Sequence, residues 1–311
     1  MWPGFGNRAS RGLNRALLSR AVTRAVEQHL DHHPIVITTL PITADLVGRI
    51  PARRWVYYMV DDFAVWPGLD GPALRSMEDE LLGRVDGVAA VSEPLVRRAR
   101  EAGHAPMLIT HGVDLADWAS PDPADLEAPA LQRIAALPEP RAMFWGLIDE
   151  RLDRQALGRL AAQWPGSIVL IGPTQGDVSD LAAMPKTHLV GPVPGRQLPA
   201  AATLAGVLMM PYADLPVTRA MQPLKLKEYL ATGRSVVCLD QPAARDWADC
   251  CDIVGPELFV PRMLRRAVAG PAVSQIHARS RRLAGESWET KAALLEMLID
   301  EVKPTPGRRA A

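Results

Sequence analysis

Cysteine is scarce: the 311-residue chain holds three, two of them adjacent at Cys250 and Cys251. That spacing supports neither a disulfide framework nor a zinc site, and a reducing, cytoplasmic compartment is the plain reading. Net charge is also missing, with 35 Lys and Arg against 35 Asp and Glu, so a general electrostatic grip on nucleic acid is not expected. No apolar run approaches the roughly 20 residues of a membrane span, and no signal peptide pattern opens the chain. Acidic residues are rare at the start: Arg8, Arg11, Arg15, Arg20 and Arg24 face only Glu27 before residue 30. With Leu13, Leu17, Leu18, Val22 and Val26 among them, they describe a basic amphipathic helix. It either packs on its own domain or makes a peripheral membrane contact through 8–26.

What is present is alternation. Apolar strand-like runs and helical patterns follow one another almost throughout, which argues for parallel-sheet α/β architecture. The first part predicts strands at 35–39, 55–60, 87–91 and 106–110, with helices at 73–82 and 93–102. Prolines 121, 123, 129, 138 and 140 then crowd a largely aperiodic stretch, with a short helix expected near 130–136. The second part predicts strands at 142–145, 167–171, 187–190, 207–210 and 235–239. Helices are expected at 153–163, 198–204, 224–232 and 243–249. The resulting division is 1–120 for a first domain, 121–140 for a linker, 141–275 for a second domain, 276–303 for a closing helix and 304–311 for a tail. The expected fold is two Rossmann-like doubly wound domains facing a cleft, with ligands outside the carboxyl ends of the strands.

The densest signal lies between Met210 and Asp240. Leu226, Tyr229 and Leu230 have the spacing of a buried helical stripe. Pro223 opens that helix and Gly233 closes it. Lys225 and Glu228 lie off the stripe, one turn apart. A helix N-terminus with a cation and a carboxylate suits a nucleoside diphosphate, the dipole and N–H groups meeting phosphate and the carboxylate meeting ribose. The same two residues could equally form an ordinary surface ion pair. Gly146 and Gly172 each follow a predicted strand, as ligand-loop glycines or as simple turn residues.

The block PLKLKEYLATGRSVV resembles the nucleotide-sugar-binding core of GT-B glycosyltransferases, specifically those similar to family 4. VDGVAAVSEPLVRRAREAG, ITHGVDLADW and MFWGLIDERLD fit the same family in the same order. The resemblance implies a sugar transferred from a nucleoside-diphosphate sugar to a saccharide or lipid-linked acceptor in cell-surface polysaccharide or glycoconjugate assembly. It further implies a donor site at Pro223, Lys225, Leu226, Glu228, Gly146, Arg151, Gly172, Val193 and His111. Glu228 matches the ribose-holding second glutamate of an E-x7-E motif, whose first position is Ala220 here. GT-B enzymes hold diphosphate with helix N-termini and basic side chains, so neither a metal nor a cofactor is expected.

The first domain should supply acceptor contacts. Asp61 and Asp62 end a predicted strand and are the candidates for a catalytic base, or one of them caps the following turn. Phe63, Trp66 and Pro67 follow, as sugar-stacking faces or as a plug at the domain's edge. Relative to the family this domain reads as incomplete by roughly fifty residues, which leaves a non-catalytic, truncated relative that binds nucleotide sugar or a partner protein as the alternative expectation.

Overall fold

Among the described residues nine of ten strands form where the alternation places apolar runs, and helices or turns fill the intervals. The computed structural model describes residues 4–66, 68–222 and 224–301. Pro67, Pro223 and the expected tail 304–311 lie outside the described residues. The chain divides into two units. The first takes the chain up to His111, the short run Ala220–Gln222 and the stretch from Lys291 onward. The second takes Gly112–Arg219 and, beyond Gln222, the chain through Thr290.

In the first unit β1 (Ile35–Thr38), β2 (Arg54–Met59), β3 (Gly87–Ala90) and β4 (Met107–Leu108) form a parallel sheet in that order. The order never reverses, so the winding runs one way. Trp55, Tyr57 and Met59 of β2 pack with Val88 and Ala90 of β3 and with Leu81 and Leu82 of the helix Gly71–Leu82. The opposite layer is covered by the last helix, Trp288–Glu301, whose Leu298 is buried with Val56, Ala89 and Ile109. The expected closing helix 276–303 is therefore two helices, Val273–Leu283 and Trp288–Glu301, and the second completes the first unit's core.

The basic N-terminal segment is a single helix, Arg8–His29. Leu18 and Val22 pack against the first unit's core, whereas Leu13 and Leu17 stay exposed. Its apolar residues are thus split between two faces rather than gathered into one.

In the second unit the sheet holds β5 (Arg141–Trp145), β6 (Ser167–Ile171), β7 (Thr187–Gly191), β8 (Val207–Met210), β9 (Ser235–Leu239) and β10 (Asp252–Val254). Their spatial order is β10-β9-β8-β5-β6-β7, all parallel. Numbered within the unit this is the doubly wound order 3-2-1-4-5-6, whose reversal falls between β5 and β8. Strands β5, β6, β8 and β9 are buried at every position, as a sheet covered on both faces requires. The helix Pro256–Ala269 and β10 had no counterpart in the sequence reading. Pro256 and Pro261 mask the helix, and three residues are too few to show a strand period.

The proline-rich stretch assigned to a linker is part of the second unit. Residues 123–127 form a 3-10 turn and Pro129–Ala135 a helix whose Leu131 and Ile134 are fully buried. Arg141, almost fully buried, donates to the carbonyls of Ala135 (2.6 Å) and Leu137 (3.0 Å), satisfying acceptors that the helix end leaves open. Ile134→Ala is expected to lower unfolding free energy by about 2–5 kcal/mol in urea denaturation, the cost of a core cavity. A tether would lose nothing measurable.

Candidate functional site

The doubly wound order places the carboxyl ends of β5, β6 and β7 side by side, and their loops are stitched together by backbone. Gly146 N–H donates to Ile171 O (2.9 Å), Ile148 N–H to Pro173 O (2.9 Å) and Gly172 N–H to Gly191 O (2.9 Å). Both glycines are conformationally required, with φ of +140° at Gly146 and +142° at Gly172. They are sterically required as well. A Cβ on Gly172 would stand 1.9 Å from Gly146 O, and one on Gly146 would stand 2.6 Å from Lys225 Cε. Of the two readings left open for these glycines, the structure supports close approach at the loops rather than turn chemistry alone.

The helix Leu224–Ala231 comes up against these loops. Its Leu226, Tyr229 and Leu230 are buried, which turns Lys225 and Glu228 toward the strand ends. Tyr229 locks the arrangement: its hydroxyl accepts from Trp145 N–H at 3.0 Å, and its ring meets the Trp145 indole edge-on at 4.2 Å. The Trp145 Nε1–H donates to Glu228 Oε2 at 2.8 Å, leaving Oε1 for a ligand. Lys225 Nζ donates to Tyr212 Oη at 2.6 Å and lies 5.7 Å from the Phe144 ring centre. Lys225 and Glu228 therefore turn to neutral partners rather than forming the surface ion pair. Burial pushes the Glu228 carboxyl above its ordinary value, against the opposing pull of the Trp145 hydrogen bond and the Lys225 charge.

Together these groups enclose a cavity of about 290 Å³ lined by Trp145, Gly146, Gly172, Val193, Lys225 and Glu228, with Ile171, Pro173, Pro192, Leu198 and Leu224 as apolar walls. Flat apolar walls, one carboxylate and one ammonium are what a base, a ribose and a phosphate would each need.

The structure gathers Gly146, Gly172, Val193, Lys225 and Glu228 of the expected donor residues and sets others apart. Arg151 is buried with Nε donating to both Asp149 oxygens (3.0 and 2.9 Å), and it does not line the cavity. Its backbone serves instead, because Arg151 O accepts from Ala213 N–H (2.8 Å) and so anchors the segment after β8 that carries Tyr212. Leu226 is a core residue, 1% exposed, not a cavity wall. Pro223 lies outside the described residues. His111 ends the first stretch of the first unit, is half-buried, and is not one of the residues that line the cavity.

In the first unit Asp62 caps the turn Phe63–Val65 through Ala64 N–H (3.2 Å) and forms a two-oxygen ion pair with Arg75 (2.7 and 2.9 Å). Its carboxylate is spent on structure. Asp61 is half-buried and accepts from Asp62 N–H at 3.0 Å. Ala220 is buried, its carbonyl accepting from Ser92 Oγ at 2.7 Å. Among the described residues no group of three or more His, Cys, Asp or Glu side chains could hold a metal ion, and no helix is long and apolar enough to cross a membrane.

Sequence reading missed Trp145, Tyr212 and Trp118, which stacks on Trp145 at 5.4 Å with planes 7° apart. The clue available was an indole at a buried strand end, whose N–H needs an acceptor. Nothing local named that acceptor, 83 residues on.

Comparison with known proteins bears on the fold. No family model matches the chain. A Bacillus subtilis (strain 168) protein, TuaH, assigned by name to teichuronic acid biosynthesis as a glycosyltransferase, is 35% identical over 105 residues, or 32% of this chain. The chain spans about a quarter of that relative's length. Among solved structures, HepE from Anabaena, in complex with UDP and glucose, matches with a TM-score of 0.73 at 12% identity, over 96% of this chain and 84% of its own. Sucrose-phosphate synthase from Thermosynechococcus elongatus matches at 0.69 and 19% identity, over 94% and 79%. The trehalose 6-phosphate synthase of Burkholderia multivorans matches at 0.65 and 16%, over 94% and 77%. These likenesses establish the fold as two Rossmann-like α/β units of the GT-B type.

The two glycines should fail differently. Gly172→Ala forces a side chain into a carbonyl at a φ that only glycine holds comfortably, so its melting temperature should drop by several degrees, from strain of about 1–3 kcal/mol or more. Gly146→Ala meets the movable end of a lysine. It bears the same φ strain without the carbonyl clash, so it should melt below wild type by less than Gly172→Ala while losing ligand affinity.

Proposed function

We propose that the chain is a glycosyltransferase whose second unit holds a nucleoside-diphosphate sugar, transferring the sugar to a saccharide or lipid-linked acceptor in cell-surface polysaccharide assembly. The observation that carries this is the pairing of Glu228 and Lys225 on one cavity, each held by a neutral partner in a doubly wound sheet. HepE, solved with UDP and glucose, and the name of TuaH support the donor and the polysaccharide setting respectively.

In this reading Glu228 accepts from the two ribose hydroxyls through a carboxylate already oriented by the Trp145 indole. The apolar wall at Pro192, Val193 and Leu198 takes the base. Lys225 can leave Tyr212 for the diphosphate, offsetting the charge that grows on the leaving group as the glycosidic bond breaks. Its stem fills the space a Gly146 side chain would need, so the ammonium reaches the phosphates over bare backbone. Ala220 brings no carboxylate to the sugar, so sugar selection falls to other groups. Asp61 is the acceptor-side base this reading retains, and Asp62 is not. A cytoplasmic setting fits a nucleotide-sugar donor. Peripheral membrane contact through 8–26 would rest on exposed Leu13 and Leu17 with Arg20 and Arg24 beside them on the helix.

The test is a donor screen by nucleoside diphosphate release, with UDP affinity measured by calorimetry on wild type and Glu228→Gln. The variant should bind UDP about 10- to 100-fold more weakly, the range for a lost charge-assisted hydrogen bond. Unchanged affinity removes the ribose assignment, and UDP binding without any release across the screen favours the non-catalytic alternative.

Acidity gives a second check, with opposite signs for binding and stability. UDP affinity should fall as pH drops through the raised Glu228 value, because the ionised form is the better acceptor. Stability runs the other way. A carboxyl whose folded value lies above its unfolded value favours the fold at low pH, and that contribution disappears as pH rises through the folded value. Glu228→Gln should therefore melt no lower than wild type at neutral pH while its UDP affinity becomes flat with pH.

A further inference from the structure

The first unit contains a second cavity, of about 520 Å³, that donor binding does not use. Arg8, Arg11 and Arg15 reach it from one face of the helix Arg8–His29, as their i, i+3, i+7 spacing dictates. Asp45 and Arg49 come from the segment between β1 and β2, and Glu80 and Arg84 from the end and just beyond the helix Gly71–Leu82.

Charge in this cavity is unbalanced. Arg11 bridges both carboxylates, donating to Asp45 at 3.0 and 2.8 Å and to Glu80 at 2.9 and 2.7 Å. Arg84 donates to Ala44 O at 2.9 Å and lies 3.8 Å from Glu80. Five guanidiniums against two carboxylates leave three positive charges in the lining. They belong to Arg8, Arg15 and Arg49, whose side chains have no hydrogen-bond or ion-pair partner among the described residues. Their neighbours in the lining are otherwise almost entirely polar, which disfavours an apolar ligand. The positive end of the helix dipole lies at the same place, since Asn7 caps the helix there.

Gly12 points to the same conclusion independently. Glycine in the second turn of a helix lowers its stability, yet packing does not require it, because a Cβ at Gly12 would touch nothing within 4 Å. What the glycine does is keep that wall of the cavity at backbone level.

We propose that this cavity is an anion site, separate from the donor site, that takes a diphosphate or phosphomonoester group. Three uncompensated guanidiniums match a compact trianion. Guanidinium forks bind phosphate oxygens two at a time, and Arg11, fixed by both carboxylates, holds the surrounding elements in place to receive it. The phosphate is either free or carried on a lipid headgroup, and the recognition chemistry is the same.

Calorimetry with inorganic pyrophosphate on the full chain tests this, using Arg15→Glu/Arg49→Glu, Gly12→Leu and Lys225→Met. Sedimentation with phosphatidylcholine vesicles, with and without phosphatidic acid, distinguishes the source. The proposal expects pyrophosphate binding, or binding only to the phosphatidic acid vesicles, that survives Lys225→Met. It expects the double arginine variant and Gly12→Leu to weaken that binding by at least about tenfold. Gly12→Leu should not lower the melting temperature, so its loss of binding could not be blamed on unfolding. Absence of binding to both probes, binding indifferent to the arginine and glycine variants, or binding abolished by Lys225→Met would each overturn the proposal.

Discussion

Backbone meets backbone where β5 and β6 end, with no space for a side chain between Gly172 and the Gly146 carbonyl. The rest of the second unit's site depends on that approach. It lets the loops after three neighbouring strands hydrogen-bond as one surface. It fixes the height at which Trp145 leaves the sheet, and hence where its indole N–H can meet Glu228. A wider gap would separate the indole from the carboxylate and the lysine from its phenol.

Upon this constraint rests an electrostatic arrangement of some tension. Glu228 is held where burial disfavours its charge, with one neutral donor and one nearby cation to offset the cost. Lys225 is held by the Tyr212 phenol beside the Phe144 ring rather than by an anion. Both groups are kept in place without being neutralised, which leaves their charges available to a ligand. The buried Lys227 shows the contrast. It lies on the same helix but pairs with Glu286 and is fully enclosed, so its charge is used inside the fold.

Most strands were legible because buried parallel strands are continuous apolar runs bounded by glycine or proline, as at Ile168–Ile171. Lys225 and Glu228 were legible because a helix of known phase cannot bury Tyr229 without turning them outward. Arg151 pairs with Asp149 two residues away, and a basic residue near a strand end looks the same in sequence whether it meets phosphate or such a neighbour. Of the two readings open for Asp62, the turn cap is the one the structure displays, while its partner Arg75, thirteen residues on, has no local signal. The division of the chain was placed too late because prolines mark irregular backbone and say nothing about burial; Leu131 and Ile134 show how deeply such a stretch can pack. Tertiary pairs such as Trp145 with Glu228 have no local signal at all.

The return of Trp288–Glu301 to the first unit has a consequence for how the protein is made. Val56, Ala89 and Ile109 emerge early from the ribosome, but the Leu298 that shields them is among the last described residues synthesised. For most of translation the first unit must exist with one sheet face uncovered, an aggregation hazard of incomplete chains. Its sheet can pair early, while its core closes only after the second unit has been synthesised in between. The order of synthesis and the order of completion are therefore reversed.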